Sequence, residues 1–258
     1  VASGRATTSE ATAGVATITL NRPDDRNALS EELLASLRED LSRAATDQSC
    51  RVVVITNSGP AFSAGADLKG KRRASGAALG GVLEAIMGHP KPVVARVAGH
   101  CAGGGVGLAA ACDVSVAASD VTFAFREVRV GVAPAVISVV CLQKMRRGDA
   151  LELFLSGEAV TAERAVEVGL VNRAVERSRL DEEISALVAS LLEGAPAALR
   201  AAKRLVSEVP RLGEAEGFEM TAALSDELFA SDEAAEGLAA FRQRRPAAWS
   251  PSFSRPRR

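Results

Sequence analysis

Aromatic side chains make up 3% of this 258-residue chain, so the core it builds has to be aliphatic. Histidine occurs twice, at His89 and His100, too few for a histidine-rich metal site, and no metal is expected. The cysteines Cys50, Cys101, Cys112 and Cys141 lack CxxC spacing and sit in or beside apolar segments. That pattern predicts buried reduced thiols and excludes a disulfide framework. An excess of one charge is lacking too: 31 basic against 32 acidic residues leave a formal net charge of −1. The chain therefore has no electrostatic footprint for nucleic acid or an anionic membrane, and any anion must be bound locally. No apolar run is long enough to span a bilayer, since Val130 to Leu142 is short and broken by Pro134 and Ser138. The first twenty residues lack a signal pattern, so a cytoplasmic protein without a membrane or nucleic-acid partner is the expectation.

What is present is an ordinary globular composition, 47% apolar and 24% charged. The length is near the upper size of one hydrophobic core, which leaves open one main domain with an appendage or two domains.

Residues 1–13 are small and polar and read as a loose terminus. Gly14 to Leu20 alternates and is β-branched, as a strand would be. The turn Asn21 to Asn27 leads to Ser30, an N-cap for a helix with Leu33, Leu34, Leu37 and Leu41 on one face. Arg51 to Thr56 (RVVVIT) is nearly continuous apolar, as in a strand buried on both sides. Together these make a βαβ unit. Gly80 to Met87 reads as a helix stopped by Gly88 and Pro90, and Pro92 to Ala98 as a third strand. A short buried helix ending at Cys112 follows, then strands Val114 to Ala117 and Val121 to Phe125, then a helix from Pro134 through Met145. Beyond this, strands largely give way to helical spacing, over 149–155, 161–168, 180–192, 196–205, 214–228 and 233–242. A basic tail, Arg242 to Arg245 with Arg255 to Arg258, closes the chain.

Two glycine-bearing turns, Gly59 to Gly70 (GPAFSAGADLKG) and Ala98 to Ala109 (AGHCAGGGVGLA), each follow an apolar strand. Small residues there let main-chain N–H groups face a ligand. If the fold joins the two turns, each can give one N–H to a single oxygen, forming an oxyanion hole. For Gly103, Gly104, Gly105 and Gly107 the alternative is close packing of neighbouring backbones. A GxGxxA pattern begins at Gly105, with Glu127 about twenty residues on, as in a dinucleotide fingerprint. It lies seven residues past the strand end at Ala98, whereas the fingerprint needs its glycines directly after the strand.

AFSAGADLKG after VVVIT, PVVARVAGHCAGGG, and CDVSVAASDVTFAFREVRVGVAP together resemble the enoyl-CoA hydratase/isomerase (crotonase) superfamily. The likeness runs from about Gly14 to Val175 and includes the NRP…NAL turn and LSGEAVTAERAVEVGLVNRAV. It implies an α/β fold, a spiral of ββα units (1–195) carrying the active site. A helical C-terminal region (196–258) would serve trimerisation and cover coenzyme A, giving a homotrimer or dimer of trimers. It also implies an acyl-CoA thioester substrate and no cofactor apart from the coenzyme A that the substrate carries.

By position, the resemblance puts the oxyanion-hole N–H groups on Ala66 and Gly104. It lays coenzyme A along Arg26 to Ala28 and Ala64 to Leu68, with Lys69, Phe241 and Arg244 as further contacts. Asp67 also caps a helix on its own residue type. The catalytic carboxylates separate family members. Familiar hydratases carry one glutamate where this chain has Gly107, and a second at Glu127, which here follows Arg126 where a proline is usual. EVRVGVAPAVIS is closest in motif to the methylglutaconyl-CoA-hydratase-like branch. Water addition to a 2-enoyl-CoA with Glu127 as acid/base is the leading reading. A Δ3,Δ2-enoyl-CoA isomerase using Glu127 alone, or a non-catalytic acyl-CoA-binding homologue, are the alternatives.

Overall fold

The computed structural model describes residues 5–67 and 74–252. In chain order the elements are β1 (Thr7–Thr12), β2 (Val15–Leu20), α1 (Glu31–Thr46), β3 (Val52–Asn57), β4 (Ala61–Ser63), α2 (Gly76–Met87), β5 (Val93–Val97), β6 (His100–Ala102) and α3 (Gly104–Ala111). They continue as β7 (Val114–Ala118), β8 (Thr122–Ala124), α4 (Ala135–Cys141), α5 (Arg147–Ser156), β9 (Ala159–Thr161), α6 (Ala162–Glu167) and β10 (Arg173–Val175). Helices α7 (Leu180–Leu192), α8 (Pro196–Glu208), α9 (Glu214–Phe229) and α10 (Asp232–Gln243) complete the described chain. By contacts the chain divides into two units, residues 1–89 with 93–185, and 90–92 with 186–258.

The first unit stacks two sheets. Strands β2, β3, β5, β7 and β10 run parallel in one, with β1 antiparallel on its edge. Strands β4, β6 and β8 run parallel in the other, closed by antiparallel β9. Each glycine turn therefore begins with a short strand of the second sheet, giving the order long strand, short strand, helix in β3-β4-α2 and again in β5-β6-α3. This is the expected α/β spiral of ββα units. The core is aliphatic: β3 is buried along its whole length, and Leu33, Leu34, Leu37 and Leu41 of α1 are all buried. Ser30 caps α1 by accepting the Leu33 N–H. None of the four cysteines forms a disulfide, and all are buried.

The structure corrects several readings. Residues 7–12 are not loose, because they form β1 through a tight turn at Ala13 and Gly14, both with positive φ. Its polar sequence hid it; Thr7 is held instead by a buried hydroxyl-to-carboxylate bond to Asp40 of α1, which Arg5 and Arg43 also reach. Helix α4 stops at Cys141 rather than running on to Met145. After residue 145 helices dominate as expected, and the short strands β9 and β10 complete the two sheets. Helix α2 is capped by Ser75, which accepts the Ala78 N–H, and not by Asp67. Glycines 105 and 107 lie inside α3 rather than in the strand-to-helix turn that a dinucleotide fingerprint requires. No single helix among the described residues is long and apolar enough to cross a membrane.

Candidate active site

The parallel sheets bring the two glycine turns edge to edge. Gly65 has φ +85°, and a methyl placed on it would stand 2.8 Å from the Ala102 carbonyl oxygen and 3.4 Å from the Gly104 nitrogen. Only a residue without Cβ lets the backbones approach this closely. Ser63 locks the contact: its hydroxyl donates to the Asn27 carbonyl at 2.7 Å and accepts the Gly65 N–H at 3.2 Å. A methyl on Gly105 would meet the Ser63 carbonyl oxygen at 2.5 Å.

Asn27 fastens the preceding turn to the same place. It is fully buried with φ +52°. Its side chain accepts the Arg22 N–H at 2.7 Å and donates to the Ser58 and Ala61 carbonyls at 3.0 and 2.8 Å. The strand-like stretch after it runs beside the first glycine turn, with Ala64 N–H on the Arg26 carbonyl at 2.9 Å and Leu29 N–H on the Gly65 carbonyl at 2.8 Å. Ala66 is exposed, and Gly104 is the first residue of α3. Neither N–H donates to a backbone carbonyl of the described residues. For Gly104 this follows from its place in the first helical turn, whose N–H groups have no intrahelical acceptor.

Glu127 reaches the same point from the far side. It lies on a 3-10 turn, Arg126–Val130, that leaves β8 and ends at Gly131 with φ +79°. Anchors hold the turn on both sides. Phe125 is buried with its ring centroid 4.6 Å from that of Phe154, and Arg129 donates to the Ser156 carbonyl and pairs with Glu158. The Glu127 carboxylate comes to lie over Gly103, whose absent methyl would stand 2.9 Å from Oε1. Its Oε2 is buried without a hydrogen-bond partner. Burial raises the carboxyl above the ordinary glutamate value, offset in part by a hydrogen bond from its own main chain.

These parts surround a cavity of about 490 Å³. Ala64, Gly65, Ala66, Gly103, Gly104 and Glu127 line one side, and Leu29, Leu79, Val132, Val136 and Ile137 supply much of the apolar remainder. A pocket of this size and greasiness, with a few polar groups at one point, suits a small acyl group and the end of its carrier. Two N–H donors that share one oxygen, beside a half-buried carboxylate, are groups able to stabilise an enolate.

Of the sequence-predicted site residues, the structure brings Ala64, Ala66, Gly104 and Glu127 together around this cavity. Arg26 is exposed, with left-handed φ +53°, and Ala28 is half-buried; both belong to the turn that Asn27 fastens. Asp67 is half-buried beside Ala66, while Leu68 and Lys69 lie outside the described residues. Phe241 and Arg244 belong to the second unit, where Phe241 is 82% exposed and Arg244 ends α10 with φ +51°.

His100 is exposed on β6 and accepts the Thr122 N–H at 3.0 Å. It does not line the cavity. Cys141 is no substitute nucleophile either, because burial pushes its thiol up to about 12. At Gly107 the space a side chain would need is filled by Ile137, whose Cβ would be 2.9 Å from an added methyl. Sequence reading singled out neither Ser63 nor Ile137, and it named Asn27 and Gly65 only within the stretches 26–28 and 64–68. Gly65, flanked by alanines in a predicted turn, carried a readable signal; Ile137 carried none, since its contact joins α3 to α4.

A family model described as enoyl-CoA hydratase/isomerase matches residues 10–252. A Thermus thermophilus protein provisionally named an enoyl-CoA hydratase is 36% identical over 242 residues, covering 90% of this chain and 96% of its own length. The 2,3-dehydroadipyl-CoA hydratase of Escherichia coli is 34% identical, covering 88% of this chain and 92% of its own. The crystal structure of an enoyl-CoA hydratase from Mycobacterium smegmatis superposes with a TM-score of 0.89 at 35% identity, over 95% of this chain and 98% of that one.

Proposed function

The chain belongs to the enoyl-CoA hydratase/isomerase family, and from that premise we propose that it adds water to a 2-enoyl-CoA thioester. The observation that carries the reading is the buried, unpartnered Glu127 Oε2 at the point where the two glycine turns meet. In this reading a water oxygen bonds to the β-carbon while the Glu127 carboxylate takes one of its protons. The π-electron pair moves onto the thioester oxygen, forming an enolate that accepts from Ala66 N–H and Gly104 N–H. Each donor is worth about 3 kcal/mol in comparable holes. Glu127 then returns the proton to the α-carbon, so one carboxylate handles both ends of the added water.

Coenzyme A would follow Arg26, Ala28, Ala64, Asp67, Leu68 and Lys69, with Phe241 and Arg244 supplied by a neighbouring copy in a trimer or dimer of trimers. Support for association is the apolar surface of the second unit, where Phe218, Phe229 and Phe241 are 69%, 71% and 82% exposed.

A second reading rests on Ile137 filling the space at Gly107. With Glu127 the only carboxylate lining the cavity among the described residues, the site also suits a Δ3,Δ2-enoyl-CoA isomerase, which needs one shuttling base. Incubation with crotonyl-CoA and with a 3-enoyl-CoA, followed by absorbance of the conjugated thioester, tests both. Loss of absorbance with the first supports hydration, and gain with the second supports isomerisation. Tight binding with no turnover of either would leave an acyl-CoA-binding homologue.

A further inference from the structure

The cavity wall contains two charged residues among its described lining, Glu127 and the residue before it, Arg126. Everything else there is apolar or small apart from Ser75, which caps α2. Glu127 is used by the chemistry; Arg126 is not. Its neighbour Arg129 is tied to Ser156 and Glu158, whereas Arg126 has no hydrogen-bond or ion-pair partner among the described residues. Nor does a guanidinium figure among the influences on Glu127, whose carboxyl moves upward through burial. The two charges on adjacent residues are therefore not spent on each other. No ion pair among the described residues accounts for Arg126.

A planar guanidinium at the rim of an apolar pocket binds a carboxylate through two parallel hydrogen bonds, and the low local polarity strengthens them. Building on the thioester reading above, we propose that Arg126 selects acyl groups ending in a carboxylate: short dicarboxylic acids held as their mono-thioesters. One carbonyl would lie in the oxyanion hole and the distal carboxylate on Arg126, with the chain between them against Val132, Val136 and Ile137. The cavity volume of about 490 Å³ keeps the chain between the two ends short.

The test uses saturated thioesters, so that it reads binding without turnover. Calorimetry on the full chain compares glutaryl-CoA with butyryl-CoA and with coenzyme A alone, for wild type, Arg126→Gln and Arg126→Lys. The expected result is a wild-type preference for glutaryl-CoA over butyryl-CoA of about tenfold or more, as for a charged hydrogen-bonded pair. It should fall to near unity in Arg126→Gln and be partly kept in Arg126→Lys. Equal wild-type affinities would overturn the proposal. So would an Arg126→Gln loss of the same factor for both thioesters and for coenzyme A, which would put the guanidinium on the phosphates. If both thioesters bind equally yet crotonyl-CoA is hydrated, the selectivity fails and the hydratase reading stands. If neither thioester binds, both fail.

Discussion

Glu127 combines two properties that ordinarily exclude each other, a titratable carboxylate and an oxygen buried without a partner. Its native carboxyl value is raised, so the folded chain holds the proton to higher pH than the unfolded chain does. The cost of burying the charge then appears as pH rises above the ordinary carboxylate value, and is complete once pH has passed the raised native one. Glu127→Gln keeps the shape and removes the charge. It should raise the melting temperature at neutral pH, with the gain fading in acid, while lowering kcat by about 10²- to 10⁴-fold. Thermal melts across pH, set beside turnover assays, check both halves. In wild type, kcat/KM should fall as pH drops through the raised value, because the carboxylate is the working form. At Gly107 the constraint is steric. Gly107→Glu alone should destabilise the fold by about 1–3 kcal/mol through overpacking against Ile137. Adding Ile137→Ala should recover part of that loss, which denaturant titration of the four species would measure as a coupling energy.

At the scale of elements, the site depends on short connections held by side chains rather than on long helices. The 3-10 turn bearing Glu127 is fixed by Phe125 on one side and Arg129 on the other. Asn27 joins the turn before α1 to the carbonyls of Ser58 and Ala61 at the start of the first glycine turn. Asn27→Ala removes these bonds and leaves a left-handed φ on alanine. A loss on the order of 3 kcal/mol is expected, with a fall in kcat larger than the change in KM if the proposed oxyanion donors are displaced. Denaturant unfolding and steady-state kinetics test this pair of effects. A stability loss without any change in kcat would show that the strap supports the fold and not the hole.

At the scale of the whole molecule, the ββα order explains why a cavity can be lined by residues 29, 66, 104 and 127. Parallel strands advance one position with each unit, so the turn following each short strand of the second sheet meets the turn from the unit before. The second unit ends with α9 and α10, which expose large aromatic side chains to solvent. We expect sedimentation at micromolar concentration to give a mass of three or six chains, and Phe229→Glu with Phe241→Glu to shift it toward the monomer. A wild-type monomer would remove the neighbouring copy from the coenzyme site.

The sequence by itself determined the elements and the chemistry on offer. Alternation, apolar runs and caps located β2, β3, α1 and most later helices, because these are local patterns with periods of two or about 3.6 residues. Resemblance to the family, position by position, assigned Ala66, Gly104 and Glu127. It did not reveal β1, whose polar strand is held by Thr7 on Asp40, nor β9 and β10, each three residues long and formed by pairing with distant strands. Only the tertiary structure decided that Gly65 abuts Gly104, that Glu127 loses solvent above Gly103, and that Ile137 fills the place of a second carboxylate. Those facts are contacts between residues far apart in sequence, and burial and close approach arise only when the chain has folded.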